Sequence, residues 1–500
     1  MQTGPRRTPR FLTWAWALLV ASSALYFLGD HEADNDLWMH LYSGRRILAE
    51  GALPRLDDVS YTATGLPWID HEWLSQVGLA ALFAGGGSPA LWLAKLAIAL
   101  LTAALVWRMA RRHARSPWVW GAVMVLTLAA MGRGYAVRPQ VVTYLGVAAL
   151  LAWLDRPRVA APGWSTYALL AAGFGLWANA HGAVIAGVGI LGLYALLGDS
   201  RHDGARGPQR AALLVCAILA VCLNPYGPAL LSYIGNELRV PHPISEWQPL
   251  AFGDPAQRPA AVLLVALLAS LGWARLLRHR RWWAALVALV AVMALRSQRH
   301  VPLLALCAAA PLADQLQGAL DAAGMRTRWR LSGTATAMVA VALLALAGLQ
   351  LATFGVRAWR DRGRLVFAAA EYPVGALRFA REARLSGNLA LPLDWGGYAL
   401  WHGAPALKVS LDGRFATVYP PAVVEDGFAF FRADGDPNAA RLLDAYPTTL
   451  VLIPRGTPSP LDGRSDWQLL YSDEVAALWG RSGEAATGQS SAPRGLLPFP

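Results

Sequence analysis

Between residues 11 and 354 the chain runs through eleven apolar segments, near 11–29, 86–107, 117–131, 140–154, 164–179, 182–198, 211–224, 259–274, 283–296, 300–316 and 332–354. A straight helix needs about 20 apolar residues to cross a bilayer. Runs of this kind, repeated this often, predict a polytopic α-helical membrane protein with about eleven transmembrane helices. Several runs are short. The pair around Asn179-Ala180-His181-Gly182 reads as a tight hairpin or a broken helix, and 73–84 as a juxtamembrane helix or the start of the second span.

Composition closes off other classes. The 500 residues are 55% hydrophobic and 15% charged, against about 25% charged in soluble domains. That is too little charge to coat a globule of this size, so a soluble enzyme, a disordered chain, a collagen and a coiled coil are excluded. Cys216, Cys222 and Cys307 lie in or beside apolar runs without zinc or redox spacing, and read as buried small hydrophobes.

The net charge of +12 has a telling distribution. Residues 356–500 balance, with fifteen Lys/Arg and fifteen Asp/Glu. The excess sits in short clusters between apolar runs, such as Arg108, Arg111, Arg112 and Arg115, then Arg275, Arg278, Arg280 and Arg281. Such clusters orient membrane helices and do not form a nucleic-acid groove. With the N-terminus in the cytoplasm, the inner segments (1–10, 108–116, 155–163, 199–210, 275–281, 317–331) hold nineteen Lys/Arg. The outer ones (30–85, 132–139, 180–181, 225–258, 296–299) hold nine. This predicts a cytoplasmic N-terminus and an extracytoplasmic C-terminal segment. Arg6, Arg7 and Arg10 before the run 11–29 resemble a signal sequence, but no small-residue cleavage site follows, so an uncleaved first helix is expected.

Three parts are expected: a membrane domain 1–355 with a first outer loop 30–85, an extracytoplasmic α/β domain 356–481, and a disordered tail 482–500. In the second part, 365–386 reads as helical, 388–393, 407–411 and 448–453 as strands, 437–446 as a helix and 467–480 as a hairpin.

The polar residues that could do chemistry gather on the outer side. The first loop begins with Asp30, His31, Glu32, Asp34 and Asp36 and carries nine acids and three arginines between 30 and 72. Asp34 and Asp36, beside Leu37 and Trp38, are spaced to share a divalent cation, or to supply a general base; solvated bystanders are the plain alternative. Asp70-His71-Glu72-Trp73 is either an interfacial aromatic belt or a second ligand group. Arg133, Arg138, Arg296, Arg299 and His300 map to the same side, where they bind a phosphate or snorkel to headgroups. His181, Asn224, Tyr226, Glu246 and Trp247 lie there too, with His181 alone a structural histidine as its plain reading. Asp394-Trp395-Gly396-Gly397-Tyr398 after a strand reads as a turn, and Asp412-Gly413-Arg414 as a second one. No phosphate loop, dinucleotide glycine motif, nucleophile elbow or zinc-protease pair is present.

These features resemble the GT-C superfamily, polytopic membrane glycosyltransferases that use a lipid-phosphate-linked sugar donor. Asp34-Asn35-Asp36 falls where that family's acidic motif belongs. Asp394-Trp395-Gly396-Gly397-Tyr398 is similar to the Trp-Trp-Asp-Tyr-Gly signature of oligosaccharyltransferases. It departs from it with one tryptophan, and with Asp and Trp in the opposite order, which counts against acceptor-sequon recognition. The segments 34–74, 179–182, 245–249 and 394–414 also look like a group of bacterial GT-C-like membrane proteins.

The resemblance implies a GT-C-like bundle plus a small C-terminal extracytoplasmic α/β domain, in the inner (plasma) membrane of a bacterium. It implies transfer from a polyprenyl-phosphate-linked sugar to an acceptor protein, lipid or glycan at the extracytoplasmic face, with inversion. Asp34 and Asp36 would be catalytic. Arg138, His181, Arg299 and His300 would bind the donor phosphate. Glu246, Asp394, Trp395, Tyr398, Asp412 and Arg414 would lie on the acceptor side. Asp34, Asp36, His71 and Glu72 would hold a divalent cation, magnesium or manganese. The partners are then the lipid-linked sugar, its acceptor and the bilayer, with no nucleic acid. Two other readings stay open: a glycolipid transporter or non-catalytic subunit of an envelope-assembly complex, and a hydrolase or phosphotransferase built on the same acids and arginines.

Overall fold

Each of the eleven apolar segments holds a helix in the computed structural model, which describes residues 9–156, 161–199, 205–237, 245–270, 280–323, 332–432, 440–457, 461, 463–482, 488–489 and 496–499. Arg6, Arg7, Arg275, Arg278, the start of the expected 437–446 helix and most of the 482–500 tail lie outside the described residues. Among the described residues, four helices are long and apolar enough to cross a membrane: Arg10–Leu28, Trp73–His113, Gln298–Ala322 and Gly333–Arg360. The other apolar helices are shorter, as Gln140–Leu154 and Val184–Leu197 are. At 1.5 Å per residue, fifteen residues rise only about 22 Å, less than the ~30 Å hydrocarbon core. Four of the eleven expected spans thus meet the length and composition of a membrane crossing among the described residues.

The chain divides into two units. The first takes in residues 1–31, 92–228 and 241–363, and holds most of the apolar helices. Helix α1 (Arg10–Leu28) packs in it against the helices Pro117–Met131 and Gly333–Arg360. Gly121 is where the Trp16 ring lies, since a Cβ there would stand 2.3 Å from it. Ser22 and Ser23 donate to Gln350 Oε1 at 2.7 and 3.1 Å, which satisfies polar groups in an apolar interface. Just past the end of α1, Trp92 Nε1 donates to Gly29 O at 3.0 Å, and Lys95 Nζ donates to the carbonyls of Asp30 and Tyr135.

The second unit takes in residues 32–91, 229–240 and 364–500. The segment 32–91 thus clusters with the C-terminal segment. Backbone pairing explains why. Ala33 N donates to Val366 O at 2.7 Å. Ser60 forms a parallel bridge with Val409, with Tyr61 N on Val409 O at 3.1 Å and Val409 N on Val59 O at 3.2 Å. The loop therefore extends the edge of a six-stranded mixed sheet. With β1 as Val366–Ala368, β2 as Gly387–Ala390, β3 as Leu407–Val409, β4 as Leu450–Pro454, β5 as Trp467–Ser472, β6 as Ala476–Arg481, β7 as Gly488–Gln489 and β8 as Leu496–Pro498, the sheet order is β3-β2-β4-β6-β5-β7. β2 pairs in parallel with both β3 and β4, and β6 is antiparallel to β4 and β5. β4 is central and apolar along its length, as a strand covered on both faces should be. Its core includes Ala390, Phe430, Leu442, Val451, Ile453 and Trp467. β1 and β8 form a separate antiparallel pair.

Two local expectations are corrected. Residues 365–386 are not one helix: β1 comes first, and helix Val374–Glu382 starts only after Pro373, whose ring drives Tyr372 to extended backbone. Residues 394–398 are not a turn but the start of helix Leu393–Gly403, entered from Pro392. Two adjacent glycines argue for a turn by propensity. Here tertiary packing overrides them, because both glycines serve close approach. A Cβ on Gly396 would stand 2.2 Å from Leu411 O, and one on Gly397 3.2 Å from Met39 N.

Candidate functional site

The acidic motif of the first loop opens helix Asn35–Glu50. Asp34 is its N-cap, with Oδ1 accepting from Asp36 N at 3.0 Å. Asp36 sits in the first turn, where the helix N-terminus favours negative charge. The helix closes on Gly51 at φ 63. Its inner face carries Trp38, fully buried, and packs on helix Leu393–Gly403. Trp38 meets Tyr398 edge-on at 4.9 Å between ring centroids and stacks on Phe499 at 4.1 Å, with Phe367 and Tyr372 completing the box. The Tyr372 hydroxyl donates to Asn35 Oδ1. Trp395 Nε1 donates to Glu371 O at 2.8 Å. The sequence-predicted residues Asp34, Asp36, Trp395 and Tyr398 are thus held by two helices packed against each other, and Asp394 lies in the first turn of the second.

Asp412 and Arg414 form a buried knot beside this motif. Arg414 grips Asp412 with two bonds, Nε to Oδ1 at 2.9 Å and Nη2 to Oδ2 at 2.7 Å. Its Nη1 lies 2.7 Å from Asp57 Oδ1, Tyr419 donates to Asp412 Oδ2 at 2.7 Å, and the guanidinium covers the Trp68 ring at 4.8 Å. Burial pushes the Asp412 carboxyl up, and the Arg414 charge more than offsets it, holding the group below the usual carboxylate range. Between the two lies Gly413, where a Cβ would stand 2.7 Å from Asp36 Oδ1. Both charged side chains are taken up within the protein. Asp57 and Tyr419 were not singled out from sequence. Asp57 sits beside Asp58 in a loop without periodicity, so its burial had no local signature.

The Asp70-His71-Glu72 segment forms a third group in the same unit. His71 Nε2 lies 3.6 Å from Glu72 Oε1, and His40 Nδ1 lies 3.8 Å from Glu72 Oε2. The His71 ring leans on Tyr233 at 5.2 Å. Asp70 accepts from Gln76 Nε2 at 2.9 Å, and burial, with Glu72 adding to it, lifts its carboxyl to about 7. Among the described residues, no three His, Cys, Asp or Glu side chains come together as ligands for a metal ion. Asp34, Asp36, His71 and Glu72 therefore do not fit a divalent cation as one set.

In the first unit the polar residues form their own cluster. Arg138 Nη1 donates to Glu246 Oε1 at 2.6 Å, and Arg299 Nη1 lies 3.8 Å from Glu246 Oε2. Arg299 covers the Trp247 ring at 5.3 Å, and His300 meets that ring edge-on at 6.1 Å. The turn carrying Glu246 is pinned to residues 297–298, by Gln298 N on Gln248 O at 3.0 Å and by Ser297 Oγ on Glu246 O at 3.2 Å. Arg138, Glu246, Arg299 and His300 are thereby brought together. Trp177 Nε1 donates to Thr143 Oγ1 at 2.8 Å, and Thr143 Oγ1 is 2.8 Å from His181 Nδ1, which also accepts from Ala183 N at 3.3 Å.

No protein-family model matches the sequence, and no curated protein matches it. Solved structures do. The oligosaccharyltransferase of Archaeoglobus fulgidus in its apo form matches at TM-score 0.57 and 12% identity, over 88% of this chain and 69% of that one. The same archaeal enzyme, AglB, in complex with an inhibitory peptide and a dolichol-phosphate matches at TM-score 0.55 and 12% identity, with the same coverage. A looser match, at TM-score 0.45 and 15% identity, spans 96% of this chain and 99% of ArnT from Cupriavidus metallidurans, solved with undecaprenyl phosphate. The fold is that of the archaeal oligosaccharyltransferase. This chain shares that fold across 88% of its length.

Proposed function

We propose that this protein is a membrane glycosyltransferase that moves a sugar from a polyprenyl-phosphate-linked donor to an acceptor at the extracytoplasmic face, inverting the anomeric centre. One observation carries the reading: on a GT-C fold, Asp34-Asn35-Asp36 opens a helix soon after the first apolar helix ends. The archaeal enzyme of the same fold was solved with a dolichol-phosphate, which supports a lipid-phosphate donor here. Arginine counts support a cytoplasmic N-terminus and outer faces for the loops that carry these residues.

The roles follow from charge. Arg138, Arg299 and His300 bind the donor phosphate and stabilise the charge that develops on it as the sugar leaves. Glu246 shares its two oxygens with those arginines and so fixes their heads. Asp36 or Asp34 accepts the acceptor's proton as its nucleophilic atom attacks the anomeric carbon opposite the phosphate. Asp394, Trp395 and Tyr398 shape the acceptor side.

The test uses purified protein in nanodiscs with radiolabelled polyprenyl-phosphate and polyprenyl-diphosphate sugars, beside an Asp34→Ala/Asp36→Ala variant. Donor consumption by wild type and not by the variant is expected. EDTA in the same assay reads the divalent-cation requirement. A wild type that binds lipid-linked donor and consumes none replaces this reading with the transport or scaffold one.

A further inference from the structure

The residue between the buried acid and the buried arginine lies against the acidic motif. Gly413 does not lie in the left-handed region, so its backbone admits any residue. What excludes a side chain is space. The atoms found within 4 Å of a Cβ at Gly413 belong to Asp36: Oδ1 at 2.7 Å and Cγ at 3.6 Å. The Asp36 carboxylate therefore occupies the volume that a side chain at 413 would fill.

The peptide that leaves this volume empty is itself immobilised. Asp412 is fully buried and Arg414 is 6% exposed. Arg414 is fixed from several directions at once, by the two-point grip on Asp412, by Asp57 and by the Trp68 face. Arg414 N also donates to Asp412 Oδ1 at 3.0 Å, closing a tight loop around Gly413. A planar fork is needed for this: an ammonium is a point donor and would hold one partner less firmly. From Gly396, the floor of the same loop is shaped by contact with Leu411 O and Asp412 Cα.

We infer that Asp412-Gly413-Arg414 is a positioning element for Asp36: the glycine makes the room for its carboxylate, and the Asp57–Arg414–Asp412 knot keeps that room in place. Neither Asp412 nor Arg414 contacts substrate in this role. The inference rests on the reading of Asp36 as a catalytic carboxylate and adds what sets its position.

The experiment compares full-length wild type, Gly413→Ala, Asp36→Ala and the double variant in nanodiscs, by donor turnover and by Tm. Gly413→Ala is expected to lower kcat by about ten- to a hundredfold with the donor KM within about twofold, as misplacement of a reacting group does. Its loss of Tm should disappear in the Asp36→Ala background, because the clashing carboxylate is gone. Arg414→Lys should lower kcat in the same direction with the donor KM kept. A glycine needed only for folding would lower Tm equally in both backgrounds. Asp36→Ala inactive beside Gly413→Ala at wild-type kcat overturns this inference alone. Wild type consuming no donor overturns the proposed function, and this inference with it. Should Gly413→Ala not fold, the double variant is expected to fold; one that stays unfolded overturns the inference.

Discussion

Arg414 and Asp57 meet at 2.7 Å with side chains only 5% and 0% exposed, which joins the loop around Asp57 to the C-terminal segment by a fully desolvated ion pair. Removing one partner leaves a buried charge short of its compensation. Asp57→Ala is expected to destabilise the second unit by about 3 kcal/mol, seen as a lower Tm and as earlier proteolysis in the loop around residues 52–66. An unchanged melting curve would show the pair to be dispensable.

Asp34 has two separable duties. Its cap on Asp36 N is replaceable by a hydroxyl, and its charge is not. Asp34→Ala should cost about 1 kcal/mol of stability, and Asp34→Ser only a few tenths. If the carboxylate serves the reaction, Asp34→Ser is well folded and still impaired in sugar transfer, so thermal melts and turnover diverge.

Gly396 stands against backbone, which cannot swing away. With a Cβ 2.2 Å from Leu411 O, Gly396→Ala is expected to cost about 1–3 kcal/mol by overpacking. The same change at Gly189, with nothing within 4 Å of its Cβ, should leave the melt close to that of wild type. The pair of melting curves checks the contact and not glycine replacement in general.

His402 gives a pH signature. Its ring packs on Trp38 and Tyr398, with centroids 5.5 and 4.4 Å away, and burial, helped by Arg381, depresses its pKa to about 4. The unfolded chain takes up this proton near pH 6.5 while the native state does not until about pH 4. The contribution is therefore whole above 6.5 and lost as pH falls toward 4. Tm should fall over that window in wild type, and fall less in His402→Phe.

The membrane part of the fold was largely legible, because lipid demands long apolar runs and the chain can satisfy that demand only locally. All eleven runs are helices; their span lengths were less legible, since tilt and hairpins leave no mark in composition. The second unit was harder. The strand-like runs near 388, 407, 448 and 467 are strands, but the pairing of Ser60 with Val409 depends on backbone far away in sequence and has no periodic signal. Gly396-Gly397 misled because glycine is read as freedom, and here it serves contact. Asp34 and Asp36 stood out by their place after the first helix. Asp57, their neighbour in the same loop, has the sequence surroundings of a surface acid, and the partner it is buried against, Arg414, is remote in sequence.

The edge bridge has a consequence for how the chain is made. Thr62 donates its hydroxyl to Ser410 O across 348 residues. At about 5–20 residues per second, the ribosome delivers the second partner roughly 20–70 s after the first. Throughout that interval the loop bearing Asp34 and Asp36 lacks the strand it completes, and several membrane helices are inserted before it arrives. The unit richest in acidic motifs is thus discontinuous in synthesis, begun early and closed late, so a ribosome that stops short of β3 leaves the first loop without its fold.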